Sequence, residues 1–345
     1  MIDIQISIFD KFYERLGSGL SAYLTRTSTI GRTSREDQAS LQGVAGLESL
    51  CKIYGSAEYL EKAMRDWSDD VFFLDLWTEL QYRASNRTQV AGTLTVADVA
   101  SRTSTTIGTE EADASGALFD ETASSYQKLR IRCEGYITDL VSANVRTTLT
   151  AYTRINPWAT LQSSQSHQGH TLPPTAELDS LLSMLSSHLS FLSKALGKIP
   201  LRRLARSATT VIDQILFDAV LLRHSFSAAG ALQFSADITA VRSIVNKFVG
   251  GGVAEVGLAR VGEGSALVGL KIRAASDENE DESEGEGGDG EARGSGKRVL
   301  GLWEAEKGLF GDGEQARLCL EALGFERLTV AEARKVLARR VELGS

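Results

Sequence analysis

Apolar residues recur along most of this chain at helical spacings, and no strand-like alternation of period two is sustained. Over residues 2–26, Ile4, Ile8, Phe12, Leu16, Leu20 and Leu24 follow one another every four residues. That spacing keeps them on one side of a helix. A second helical region covers about 41–65. The next stretch, WSDDVFFLDLWTELQYRA, carries two adjoining stripes, Phe73 with Trp77 and Phe72 with Leu76 and Leu80. They predict a core helix packed on both sides. Ser68 is its expected cap, and Asp69 and Asp70 fall in its first turn, where the helix dipole favours negative charge. Residues 85–118 are rich in Ser, Thr, Ala and Gly and read mostly as loop. Leu129, Cys133, Tyr136, Ile137, Leu140 and Val141 mark a further helix over 120–156, which Asn156-Pro157 ends.

The clearest pattern follows. Leu178, Leu182, Leu185, Leu189, Leu192, Leu196 and Ile199 alternate spacings of four and three, a heptad-like seam with serines between. Gly197 and Pro200 break it, and Pro200 is well placed to open the next helix, 200–224, with His188 flanking the seam. A second helix is expected to start near 229–233. Glycine clusters and an acidic tract make 250–298 read as a disordered insertion. Order returns with a helix near 312–323 that ends at Gly324. The final helix opens on the capping box TVAE, Thr329 to Glu332. The chain is therefore read as all-α, an elongated stack of helical bundles. Its expected division is a helical region 1–156, a linker loop 157–176, a helical region 177–249, the insertion 250–298 and C-terminal helices 299–345.

Composition agrees. Four prolines in 345 residues suit long helices, which tolerate little of a residue without a backbone N–H. The net charge of -8 comes from Asp277–Glu291, which holds nine acidic residues; elsewhere 36 acidic residues face 37 basic ones. The remainder has no overall basic surplus to drive nucleic-acid binding. Three widely spaced cysteines lack metal-finger spacing and fit a reducing compartment. No apolar run is long enough to span a bilayer, because Asp213 and Asp218 interrupt the best one.

The residue types of a hydrolase meet in LLRHSFSAAGALQFSADI, Leu221–Ile238: His224, Ser225 and Asp237. No G-x-S-x-G elbow accompanies them, and Ser225 beside His224 would point elsewhere on a helix. The stretch reads instead as a corner between two helices, with Phe226 packing back and Gly230 giving backbone freedom. His167 and His170 lack further ligands for a metal. GSGKR, 294–298, lacks the first glycine and the hydroxyl residue of a phosphate loop. No catalytic residue, cofactor, metal or small-molecule substrate is expected.

This same corner resembles the RINT/TIP family, subunits of the Dsl-type vesicle-tethering complex. Phe226, Gly230, Ala231, Gln233 and Asp237 match the family pattern at the same spacing. His224 and Ser225 replace the family's polar pair, and Ala229 stands before the glycine. SIFDKFYERL, WSDDVFFLDLW and the terminal ALGFERLTVAEARKVLARR are similar to the family in order and position. The resemblance implies a rod-like, non-enzymatic tether subunit in Golgi-to-ER retrograde transport. Its implied partners are ER SNAREs and sibling tether subunits, with peripheral attachment to the cytoplasmic face of the endoplasmic reticulum. Only the C-terminal half of such proteins is resembled, which implies a fragment or a misassigned gene model. The alternative is a helical adaptor whose acidic tract recruits a basic partner.

The seam generates the first prediction. Leu189→Asp places a charge where an apolar contact is expected and should cost about 3 kcal/mol or more. A thermal melt unchanged by the substitution would remove the seam from the core.

Overall fold

The structure is a computed structural model and describes residues 2–28, 41–86, 118–161, 172–272 and 300–343. Among these residues there are twelve α-helices and no named strand. They fall into two compact units, Met1–Leu140 with Lys194–Gly197, and Val141–Ser193 with Lys198–Ser345. The boundary lies inside a continuous helix, so the expected division at residue 156 is corrected. The helix itself ends at Tyr152, four residues ahead of Asn156-Pro157, and the change of core comes about a dozen residues earlier still. A helix end and a core boundary are set by different interactions, the first local and the second tertiary.

In the first unit, α1 (Ile2–Ser28), α2 (Val44–Ser68), α3 (Val71–Asn86) and the first part of α4 (Asp120–Tyr152) bury Leu20, Leu50, Tyr54, Met64, Tyr126 and Cys133. The Tyr126 hydroxyl donates to the carbonyl of Phe9, 2.6 Å away, and so joins α4 to α1. Glu61, buried on α2, pairs with Arg130 of α4 at 2.7 Å and with Arg65 at 3.1 Å. Phe119 gathers Phe73 and Trp67 at ring distances of 5.2 and 6.0 Å. Burial pushes the Cys51 thiol up to about 12 and the Cys133 thiol to about 11, so both behave as neutral core groups.

Two local expectations here are corrected. Ser68 caps nothing: it is the last residue of α2 and its hydroxyl donates to Met64, while Asp70 accepts from the N–H of Phe72 at 2.9 Å and caps α3. Asp69 ends α2 instead of opening α3. Nor is α3 packed on both sides. Trp77 is buried, but Val71 and Phe72 are 71% and 66% exposed. A stripe shows which residues a helix is able to bury; the number of its neighbours decides how many it does.

The second unit contains the end of α4, α5 (Asp179–Ala195), α6 (Lys198–Leu216), a π-turn (Phe217–Leu221), α7 (Ala228–Val249), α8 (Val253–Gly257), α9 (Ala259–Val268), α10 (Leu302–Leu309), α11 (Gly313–Leu323) and α12 (Val330–Leu337). The leucine seam is core from Leu178 to Leu192, and His188 is buried with it. Ile199 is not part of it, being 72% exposed, because α6 starts at Lys198 and the break at Gly197 resets the register. Gly324 closes α11 in the left-handed region, at φ 75°. At α12, Thr329 and Glu332 exchange the two bonds of the capping box, as expected.

The expected disordered insertion, 250–298, is corrected for its first part. Residues 253–268 form α8 and α9, with Val253, Ala254, Leu258, Val261 and Leu267 buried. The glycines mark close packing. A Cβ on Gly257 would lie 1.9 Å from the Thr209 hydroxyl of α6, and one on Gly264 would lie 2.3 Å from Leu221. Polar anchors complete the fit. Asp213 of α6 accepts from the Val261 N–H at 2.8 Å, and Glu263 accepts from the N–H groups of Glu326, Arg327 and Leu328 at 2.9–3.1 Å. Burial holds the Asp213 carboxyl above its usual range, against the lowering effect of that bond. Residues 273–299, with the acidic tract and GSGKR, lie outside the described residues.

The contact between α6 and α8 is therefore intolerant of a single methyl. Gly257→Ala should destabilise the protein by about 1–3 kcal/mol through overpacking. Thr209→Ala added to it should restore part of the loss. A denaturant melt of the two variants checks this, and a fully stable Gly257→Ala chain would contradict the packing.

Candidate functional site

The corner between the π-turn and α7 is built by five residues, Phe226, Gly230, Ala231, Gln233 and Asp237, which the sequence had singled out. The π-turn adds one residue to the helical repeat just before the chain leaves α6. It allows Phe217, Val220 and Leu221 to be buried together. Arg260 of α9 stacks on Phe217 at 3.7 Å from the ring centre and also pairs with Glu332 at 2.5 Å.

Phe226 follows the turn and is fully buried. Its ring lies 5.8 Å from Trp158 and 5.5 Å from Phe234, and Tyr152 closes the cluster at 5.6 Å from Trp158. Trp158 sits in the expected linker 157–176, so that range is corrected at its start: an indole with no exposed surface anchors it in the core. The backbone of Phe226 is also engaged. Its N–H donates to Arg339 at 2.7 Å and its carbonyl accepts from Val341 at 3.0 Å, forming a parallel bridge with Arg340. The Arg340 guanidinium is buried, donates to the carbonyl of Val268 and pairs with Glu342 at 2.8 Å.

Ser227 caps α7 by accepting from the Gly230 N–H at 3.1 Å, and its own hydroxyl reaches the Leu161 carbonyl at 2.8 Å. Gly230 is required by proximity. A Cβ there would lie 1.9 Å from the Trp158 carbonyl oxygen, a backbone atom with no freedom to move aside. Ala231 next to it is fully buried. One turn on, Gln233 donates to the Pro173 carbonyl at 2.8 Å. Asp237, buried, accepts from the Tyr152 hydroxyl, the Thr175 N–H and the Thr175 hydroxyl, each at 2.7 Å.

This arrangement leaves no nucleophile and base in contact. Asp237 is engaged by Tyr152, Thr175 and Gln233, and His224 is not among its hydrogen-bond partners. The buried Nε2 of His224 has no hydrogen-bond partner. Burial holds that imidazole below its usual range, although a bond to the backbone of Thr153 opposes the shift. The corner joins chain segments. Trp158, Tyr152 and Thr175 complete it, and the sequence did not point to them, because nothing in local periodicity links residues 60–85 positions away. His167 and His170 lie outside the described residues. Among the described residues, no three His, Cys, Asp or Glu side chains gather as a metal site.

Asp237→Ala leaves three donors without their acceptor and should cost about 3 kcal/mol. Asp237→Asn keeps one acceptor oxygen and should cost clearly less. Thermal melts of both variants decide; an Asp237→Ala chain that melts like the wild type would mean that the carboxylate network contributes nothing to stability.

Comparisons with known proteins agree with this corner-centred helical fold. No curated protein matches the sequence significantly. A crystal structure of the SNARE Sec20 bound to the Dsl1 complex subunit Tip20 matches with a TM-score of 0.57 at 15% identity. The match covers 89% of this chain and 43% of the other, so this chain spans less than half the length of the protein it resembles. At that identity the likeness establishes the all-helical fold. The model of the RINT-1/TIP-1 family matches residues 1–340, nearly the whole sequence, and the chain therefore belongs to the RINT-1/TIP-1 family.

Proposed function

We propose that this chain is a non-enzymatic vesicle-tethering subunit of Golgi-to-ER retrograde transport. In this reading it works at the cytoplasmic face of the endoplasmic reticulum, held there by ER SNAREs and sibling tether subunits. The observation that carries the reading is the family match across residues 1–340. The shared fold with Tip20, a protein whose structure contains the SNARE Sec20, supports a SNARE as the first partner to test. The corner supports a structural role for Phe226, Gly230, Ala231, Gln233 and Asp237, since their polar atoms are spent on bonds within the fold. Among the described residues, no helix is long and apolar enough to cross a membrane. A tether works by geometry: packed helices hold partners at a set separation, and affinity comes from helix faces.

The full chain, used as bait in a native membrane extract, should recover ER SNAREs and sibling tether subunits, identified by mass spectrometry. Deleting 277–291 should leave that recovery intact. A folded bait that recovers none of them would overturn the tether reading, and loss on deleting the acidic tract would replace it with the adaptor reading.

A further inference from the structure

The apolar stripe of α1 is only half used. Leu20 is buried, but Ile8 and Phe12 on the same stripe are 46% and 48% exposed. Phe12 and Leu16 form one wall of a surface groove, and Tyr59 and Leu60 of α2 form the other. The groove has a volume of about 600 Å³ and opens to solvent. Gly55 lines it, and a Cβ there would meet nothing within 4 Å, so this position faces free space. Arg15 is the one charged side chain in the lining, and it has no ion-pair partner among the described residues.

We propose that this groove receives a single amphipathic helix of a partner protein, apolar on the face it buries and carrying a carboxylate opposite Arg15. Two antiparallel-capable helices with a trough between them present the surface into which a third helix packs its ridges. The lone cation selects the sign of the partner's charge, because an unpaired guanidinium beside apolar walls gains most from a carboxylate. A small-molecule site would enclose its ligand and offer several convergent polar groups. This trough is open, and its rims, Phe12 and Tyr59, are exposed aromatics of the kind that anchor protein interfaces. The proposal rests on the tether reading insofar as the helix belongs to a tether partner; the groove itself does not.

A phage-displayed library of helical peptides, panned on the full chain and counter-selected on Gly55→Trp, tests the groove. Gly55→Trp fills it from a position with free space and replaces a poor helix former, so its melting temperature should not fall. Enriched peptides should be amphipathic with an acidic residue, and fluorescence anisotropy should show at least tenfold weaker binding to Gly55→Trp. Arg15→Glu should reverse the preference between the acidic peptide and its lysine version. Binders indifferent to Gly55→Trp, or an unreversed charge preference, would overturn the proposal. So would self-association of the wild-type chain that Gly55→Trp abolishes, which would make a second copy the occupant. The pull-down separates the two readings. SNARE recovery with no Gly55-dependent peptide binding sinks the groove and leaves the tether standing, whereas Gly55-dependent peptide binding without recovery of any SNARE or sibling subunit does the reverse.

Discussion

One buried carboxylate organises the larger unit. Asp237 accepts hydrogen bonds from Tyr152 at the end of α4 and from both donors of Thr175 ahead of α5. Three stretches remote in sequence are thereby fixed at one point. A carboxylate in an apolar interior is costly unless its lone pairs are occupied, and here bonds from three residues occupy them. Around it the aromatic rings of Tyr152, Trp158, Phe226 and Phe234 interlock. Removing water from this cluster also strengthens the bonds to Asp237, so the polar and apolar parts of the corner depend on each other.

The same economy recurs at smaller scale. Glu263 occupies the N–H groups of a loop that would otherwise attract an anion, and Asp213 does so at the start of α9. Arg260 lies between Phe217, Asp218 and Glu332 and joins the π-turn to α12. Charges in this unit are spent on joining helices. In the first unit Glu61 and Arg130 do the same, while its groove leaves Arg15 beside apolar walls.

Helix type and most helix positions were legible because they are local. Periodicity located α1, α4, α5 and α6 within a few residues, and the box at Thr329 located α12. The corner was legible as a corner from Phe226, Gly230 and Asp237. Its partners were not, since Trp158 and Thr175 meet α7 only in three dimensions. Glycine misled where chemistry is ambiguous: Gly257 and Gly264 look like loop punctuation in sequence, yet each admits a neighbouring helix. Serine misled at Ser68, whose hydroxyl bonds backwards along α2 and starts nothing. Local preference names what a residue is able to do, and packing chooses among the options.

The bridge between Phe226 and Arg340 bears on how late changes to the reading frame would be felt. The last described residues look like a tail, but Arg339 and Val341 supply both backbone partners of Phe226. A nonsense codon at Arg339 would spare every α-helix described and still open the aromatic cluster from one side. Truncation there is a lesion of the interior, and its phenotype should be that of an unstable protein, whatever the fate of its surfaces.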